Sequence, residues 1–208
     1  KYNGEIISAD SRQAYKGLDI GTGKITKKEM RNVPHHMLDI ISPKKVFTIA
    51  EWQKQTEKII VDIIGRDKIP IICGGTGFYI QSIVDGVVLP EVAPNFELRR
   101  KLEKKTLSQL QTILKKLDLK RFKEIDTQNK VRLIRAIEIV TVIGKVPPIR
   151  QAQGKNLYKF LQIGLTLPPE KLKEKISIRL FARIREGMIE EARSLHKNGL
   201  SWKRMKEL

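Results

Sequence analysis

Two short β-branched runs, set on either side of one amphipathic helix and each ending in small or polar residues, constrain this chain more than any other feature. The first, Glu5-Ile6-Ile7-Ser8, ends at Ala9-Asp10-Ser11; the second, Ile69-Pro70-Ile71-Ile72-Cys73, discharges into Gly74-Gly75-Thr76-Gly77. Short apolar runs bounded by turn formers read as buried strands. Between them Thr48 and Glu51 form a capping box, Trp52, Ile59, Ile60, Ile63 and Ile64 recur at helical spacing, and Gly65 ends the helix near Arg66. Strand, helix, strand predicts a parallel βαβ unit with a right-handed crossover, and hence an α/β fold. Ligands of open parallel sheets bind at the carboxyl ends of the strands, which here deliver Asp10 and the glycine run.

Past Leu89-Pro90 the character changes to short, Lys-rich helical segments, one opened by a second capping box at Thr106 and Gln109. A further helix from about Asn129 to Ile143 carries Val131, Ile134, Ile137 and Val140 on one face and Arg132, Arg135 and Glu138 elsewhere, until Gly144 and Pro147-Pro148 stop it. Tyr158 to Leu165 resumes strand character. Pro168-Pro169 then opens one long helix with Leu172, Ile176, Leu180, Ile184 and Met188 spaced by four, closed by Asn198-Gly199. The expected organisation is an α/β core over residues 1–90 and 153–208, interrupted by a helical insertion over 91–152. No repeat or low-complexity tract is evident.

At 208 residues the chain is long enough to bury a core. No apolar run approaches the roughly 18 residues of a membrane span, no signal-like segment opens it, and one cysteine, Cys73, excludes an internal disulfide framework or a four-cysteine zinc site. A soluble protein of a reducing, cytoplasmic compartment is expected. Lys and Arg number 41 against 23 Asp and Glu, a formal charge of +18. Such a field attracts polyanions, nucleic acid first among them, although a solvated Lys-rich surface gives the same count.

Asp10, at the end of an apolar strand, suits a base whose pKa is raised by partial removal from water, or equally a cap of the next turn. Ser11, Gln13 and Tyr15 add hydrogen-bonding groups and a ring beside it, a set that suits a flat, amide-bearing ligand such as a base. Gly74-Gly75-Thr76-Gly77 could turn backbone N–H groups toward an anion at a helix start, or be a plain strand-to-helix turn. Gly21-Thr22-Gly23-Lys24 lacks the GxxxxGK[ST] spacing and follows no apolar strand, so it is set aside as a phosphate loop. Arg179 lies on the flank of the last apolar stripe and needs an anion there, either a carboxylate or a phosphate. His35 and His36 sit in a Pro-flanked loop without the companions of a metal site.

Ile6-Ile7-Ser8-Ala9-Asp10-Ser11-Arg12-Gln13-Ala14-Tyr15, Asp19-Ile20-Gly21-Thr22, Pro34-His35-His36-Met37-Leu38-Asp39 and Gly74-Gly75-Thr76-Gly77-Phe78-Tyr79 together resemble, in order and spacing, the tRNA dimethylallyltransferase family. Arg132-Leu133-Ile134-Arg135-Ala136-Ile137-Glu138 and the helix around Arg179, Gly187 and Glu190-Glu191 look like its later motifs, so the resemblance covers nearly the whole chain. It implies a P-loop-kinase-like parallel-sheet core with a helical insertion that grips the tRNA anticodon stem-loop. It also implies transfer of a dimethylallyl group from dimethylallyl diphosphate to N6 of adenosine 37, with Mg²⁺ assisting the diphosphate, by a monomer that binds no membrane. By this resemblance Asp10 is the general base and Thr76 and Arg179 stand at the diphosphate. Ser11, Gln13, Tyr15, Gly74 and Gly75 bind the reactants, and Asn129, Arg132 and Arg135 contact RNA.

This chain departs from the family pattern in three places. The family's GxxxxGK[ST] loop stands roughly twenty residues before the Asp10 motif, whereas here only nine residues precede it. Without that loop's amides and lysine the chain as printed is expected to be inactive. The chain stops soon after Trp202-Lys203-Arg204-Met205, and Lys175 and Phe181 stand where Arg and Asp are expected. Competing expectations are an adenylate isopentenyltransferase acting on free nucleotides, a small-molecule P-loop kinase, and a non-catalytic RNA-binding module.

Overall fold

The computed structural model describes residues 2–90, 92–146, 150–151 and 158–208. Strand β1 (Gly4–Ser8) is followed by a short helix α1 (Lys27–Met30), strand β2 (His35–His36), helix α2 (Ile49–Gly65), strand β3 (Ile69–Cys73) and helix α3 (Gly77–Val84). The three strands form one sheet in the order β2-β1-β3, and both pairings are parallel, so the fold is α/β. The register between β1 and β3 runs from Gly4 opposite Ile69 to Ser8 opposite Cys73, which brings both carboxyl ends to one edge. The βαβ crossover through α2 is the one the apolar periodicity predicts, and its capping box between Thr48 and Glu51 is formed on both sides.

The core of this region lies between one face of the sheet and helices α2 and α3. Ile7, Trp52, Ile60, Ile63, Tyr79 and Ile83 are buried together, with Ile72 packed against them. Trp52 stacks on Tyr79 at 4.4 Å between ring centroids and donates its indole N–H to the Ser8 carbonyl at 3.1 Å. That bond anchors α2 to the last residue of β1 and satisfies a carbonyl that would otherwise be buried unpaired. Burial pushes the Tyr79 hydroxyl up to about 12.

Several elements differ from the sequence expectation. β3 was expected to be a buried strand, but only the face carrying Pro70 and Ile72 is covered, and Ile69 on the other face is 53% exposed. The His35-His36 loop instead forms β2, and His36 bonds the buried Glu5 carboxylate together with Arg66 and Lys68. Those cations hold Glu5 well below the usual carboxylate range, Arg66 contributing most. Tyr158 to Leu165 pairs with no strand among the described residues, and Leu161, Ile163 and Leu165 are exposed.

The long helix expected at the end of the chain is two: α8 (Pro169–Arg185) and α9 (Met188–Lys197), followed by α10 (Trp202–Glu207). Gly187 separates them with φ of 102°, a conformation that interrupts a helix and that a side chain disfavours. The apolar stripe of α8 is not buried, for periodicity identifies an apolar face without guaranteeing something to cover it.

The chain divides into two compact units, Lys1–Asp85 with Asn156–Leu208, and Gly86–Lys155. In the second, strands β4 (Val87–Val88) and β5 (Arg150–Gln151) pair antiparallel, and four helices pack together: α4 (Phe96–Glu103), α5 (Leu107–Leu117), α6 (Leu119–Glu124) and α7 (Lys130–Ile143). Their core is built from Leu102, Leu110, Leu114, Leu133, Ile137 and Val140. On α7 the expected faces are partly exchanged, since Val131 is 75% exposed and Glu138 is fully buried. The expected insertion limits, residues 91 and 152, and the expected Pro147-Pro148 stop lie outside the described residues.

Candidate active site

The carboxyl ends of β1 and β3 approach so closely that position 74 has no room for a side chain. A Cβ on Gly74 would sit 2.4 Å from the Ala9 carbonyl carbon and oxygen. This approach lets the Thr76 N–H donate to the Ala9 carbonyl at 3.0 Å, and lets the Thr76 hydroxyl accept from the Ser11 N–H at 3.0 Å. Thr76 begins α3 but spends its hydroxyl on the Asp10 turn instead of capping its own helix. The first N–H groups of α3 therefore lack a side-chain cap, an arrangement that favours an anion. Gly75 is open: no described atom lies within 4 Å of a Cβ built there.

Asp10 is half-buried, and one oxygen of its carboxylate is engaged in the turn that follows β1. Its Oδ1 accepts from the N–H groups of Arg12 at 2.8 Å and Gln13 at 3.4 Å, which is the turn-capping role. Among the described residues Oδ2 has no hydrogen-bond partner, so one oxygen holds the turn and the other is unengaged. The Gln13 amide donates to the carbonyls of Thr22 and Gly23 at 3.5 and 3.3 Å, tying this turn to the next loop.

Tyr15 stands differently from its neighbours. Its ring is inside the protein at 4% exposure, and its hydroxyl accepts from the Phe47 N–H and from Arg204, whose guanidinium also lies 5.5 Å from the ring centroid. Tyr15 therefore supports the loop from within. The same loop is held by Lys24, whose ammonium bonds Asp19, Asp39 and the Tyr15 carbonyl. Helices α9 and α10 close against it, with Glu191 accepting from three loop N–H groups and Arg204 bonding the Pro43 and Lys45 carbonyls. A cavity of about 430 Å³ opens between them, lined by Asp10, Arg12, Leu18, Met188, Glu191 and Leu195 among others.

The structure thus brings together Asp10, Ser11, Gln13, Gly74 and Thr76. Arg179 is exposed on α8, and no hydrogen bond or ion pair joins it to them among the described residues. In the helical unit Asn129 caps α7, its side chain accepting from the Arg132 N–H. Arg132 is largely exposed, 3.6 Å from Asp126. Arg135 bonds the buried Glu138 and donates to the Val92 carbonyl at 2.9 Å, so part of its guanidinium is engaged within the unit. Burial pushes the Glu138 carboxyl up, but Arg99, Arg135 and the Asn95 N–H outweigh it and hold the group below its ordinary value. Sequence reasoning missed Arg204 and gave Glu191 no role. The loop Asp19-Ile20-Gly21 carries consecutive backbone donors that need an acceptor, and that demand was the available signal.

Residues 13–208 match the family described as IPP transferase. The protein tRNA dimethylallyltransferase 2 of Treponema denticola is 44% identical over 207 residues, covering 99% of this chain and 69% of that protein. The tRNA dimethylallyltransferase of Anoxybacillus flavithermus is 41% identical over 202 residues, covering 96% of this chain and 65% of that protein. Among solved structures, the full-length tRNA isopentenylpyrophosphate transferase of Bacillus halodurans aligns with a TM-score of 0.64 at 34% identity, covering 97% of this chain and 64% of that one. A eukaryotic dimethylallyltransferase acting on tRNA aligns with a TM-score of 0.80 at 26% identity, covering 99% of this chain and 53% of that one. The chain spans about two thirds of the length of the curated relatives it matches. A family match over residues 13–208 and a relative 44% identical across 99% of the chain leave one conclusion: the chain belongs to the IPP transferase family.

Proposed function

We propose that the protein transfers a dimethylallyl group from dimethylallyl diphosphate to N6 of adenosine 37 in a tRNA anticodon loop. The bond between the Ser11 N–H and the Thr76 hydroxyl carries this reading, because it joins the turn bearing Asp10 to the uncapped start of α3. In the proposed step the adenine N6 attacks C1 of the dimethylallyl group as the C1–O bond to diphosphate breaks. The N6 proton passes to the unpaired oxygen of Asp10, and diphosphate leaves. Thr76, the open backbone at Gly75 and the first amides of α3 are the groups offered to the diphosphate, and negative charge near a helix start is favoured. Arg179 offsets the charge of the leaving diphosphate, and Ser11 and Gln13 face the adenine.

The described residues contain no cluster of three or more potential metal-ligating His, Cys, Asp or Glu side chains. A Mg²⁺ accompanying the diphosphate would therefore take most of its ligands from phosphate oxygens and water, as Mg²⁺ commonly does. RNA is proposed over a free nucleotide because the helical unit, Gly86–Lys155, carries sixteen Lys and Arg against seven Asp and Glu, a surface a mononucleotide does not need. No helix among the described residues is long and apolar enough to cross a membrane.

Incubating the full-length protein with labelled dimethylallyl diphosphate and either an anticodon stem-loop or AMP tests the reading. Label is expected in the stem-loop. Label in AMP alone would assign the protein to free-nucleotide prenylation, and ATP consumption independent of RNA would assign it to the kinases.

A further inference from the structure

Glu191, in the first turn of α9, is engaged by backbone rather than by a cation. Its Oε2 accepts from the N–H groups of Asp19 at 2.8 Å and Ile20 at 2.7 Å, and its Oε1 from that of Gly21 at 3.0 Å. Three successive N–H groups converging on one point form an anion-holding concavity, and here the anion is the protein's own carboxylate. The loop is pinned from its other side by Arg183, which donates to the Gly21 carbonyl at 3.1 Å and packs so tightly at Gly23 that a Cβ there would lie 1.7 Å from its Nη2.

The pinned loop leads directly to the candidate base. Its next two carbonyls, Thr22 and Gly23, receive the Gln13 side-chain amide, and the Gln13 backbone N–H is one of the two donors to Asp10 Oδ1. We propose that Glu191 is a positioning residue for prenyl transfer: by fixing residues 19–23 it sets Gln13, and through Gln13 the orientation of the Asp10 carboxylate. The inference rests on the prenyl-transfer reading above. It follows from geometry that a carboxylate able to hold three amides at once cannot be replaced by an amide, which offers one acceptor oxygen and turns its own N–H₂ toward a donor. A base displaced by about 1 Å loses on the order of a hundredfold in rate.

The test compares wild type, Glu191→Gln, Gln13→Ala, the double variant and Glu190→Gln in the full-length protein. Thermal melting accompanies kcat and KM for dimethylallyl transfer to a stem-loop. Among the described residues Glu190 pairs with exposed Arg193 alone, at 3.6 Å, so its variant reports the effect of charge removal. Glu191→Gln is expected to lower kcat at least tenfold with KM for dimethylallyl diphosphate within twofold and a similar melting temperature, and Glu190→Gln to match wild type. The double variant is expected to be no slower than the slower single variant, because both act through one chain of contacts. If Glu191→Gln does not fold, Glu191→Asp, which keeps the charge but is one methylene too short to hold all three amides, must show the same kcat loss with KM held. An active wild type with an equally active Glu191→Gln, or with independent losses that multiply in the double variant, overturns the role of Glu191 alone. A wild type that transfers nothing overturns the prenyl-transfer reading and this role with it.

Discussion

A methyl group at position 74 would press on the backbone of Ala9, and no rotation relieves a Cβ. Gly74→Ala is therefore expected to push β1 and β3 apart at their carboxyl ends and to destabilise the protein by about 1–3 kcal/mol, the usual range for overpacking. Gly75→Ala, with open space around it, is expected to leave stability within about 0.5 kcal/mol. Chemical denaturation of the two variants checks the contrast, and equal stability would contradict the geometry. Position 74 was legible as a glycine turn after a strand, but its partner was not, because contact with Ala9 depends on the register of β1 and β3. The turn-capping role of Asp10 was legible for the opposite reason: a turn cap two or three residues long is a local event. Tyr15 looked like a site residue by proximity in the chain, and only the docking of Arg204 shows its ring turned inward.

Helix boundaries in the chain are set by local chemistry and were readable. Three Thr-led capping boxes, at Thr26, Thr48 and Thr106, are all formed, although only the last two were recognised. Burial was harder to read, as α7 and α8 illustrate. On α7 the sequence places Glu138 among solvent-facing residues, but Arg99 and Arg135 enclose it and make a buried carboxylate tolerable. On α8 a regular apolar stripe remains exposed. Because Glu138 is held below its ordinary value, it contributes stability that is present at neutral pH and is lost as pH falls through the acid range. Glu138→Gln is expected to cost about 2 kcal/mol, below the usual range for breaking a buried pair because the two arginines are about a third exposed. Denaturation measured from pH 7 to pH 3 should show a shallower acid loss in the variant than in wild type. Parallel curves would mean that Glu138 does not titrate with unfolding.

For the molecule as a whole, a formal charge of +18 and the basic helical unit predict that binding of the proposed stem-loop substrate is largely electrostatic. Raising salt from about 50 to 200 mM is expected to weaken stem-loop binding tenfold or more, and Arg132→Ala to lower the slope of log affinity against log salt by roughly one phosphate's worth. A flat response would remove the basic surface from the account. The α/β class and the two-part organisation follow from where strand-like and Lys-rich segments fall in the sequence. The closure of α9 and α10 over the Asp10 loop does not, because it joins residues 12–45 to residues 183–207 through backbone acceptors that no side-chain pattern marks. The central claim is that one oxygen of Asp10 holds a turn while the other takes the proton of the attacking amine. Asp10→Asn keeps the turn-capping oxygen and removes the base, so single-turnover transfer to a stem-loop, measured beside stem-loop affinity, separates the two. The account predicts a rate lowered by roughly 10²–10⁴ with affinity within about twofold. Transfer at the wild-type rate, or affinity lost in step with transfer, would contradict it.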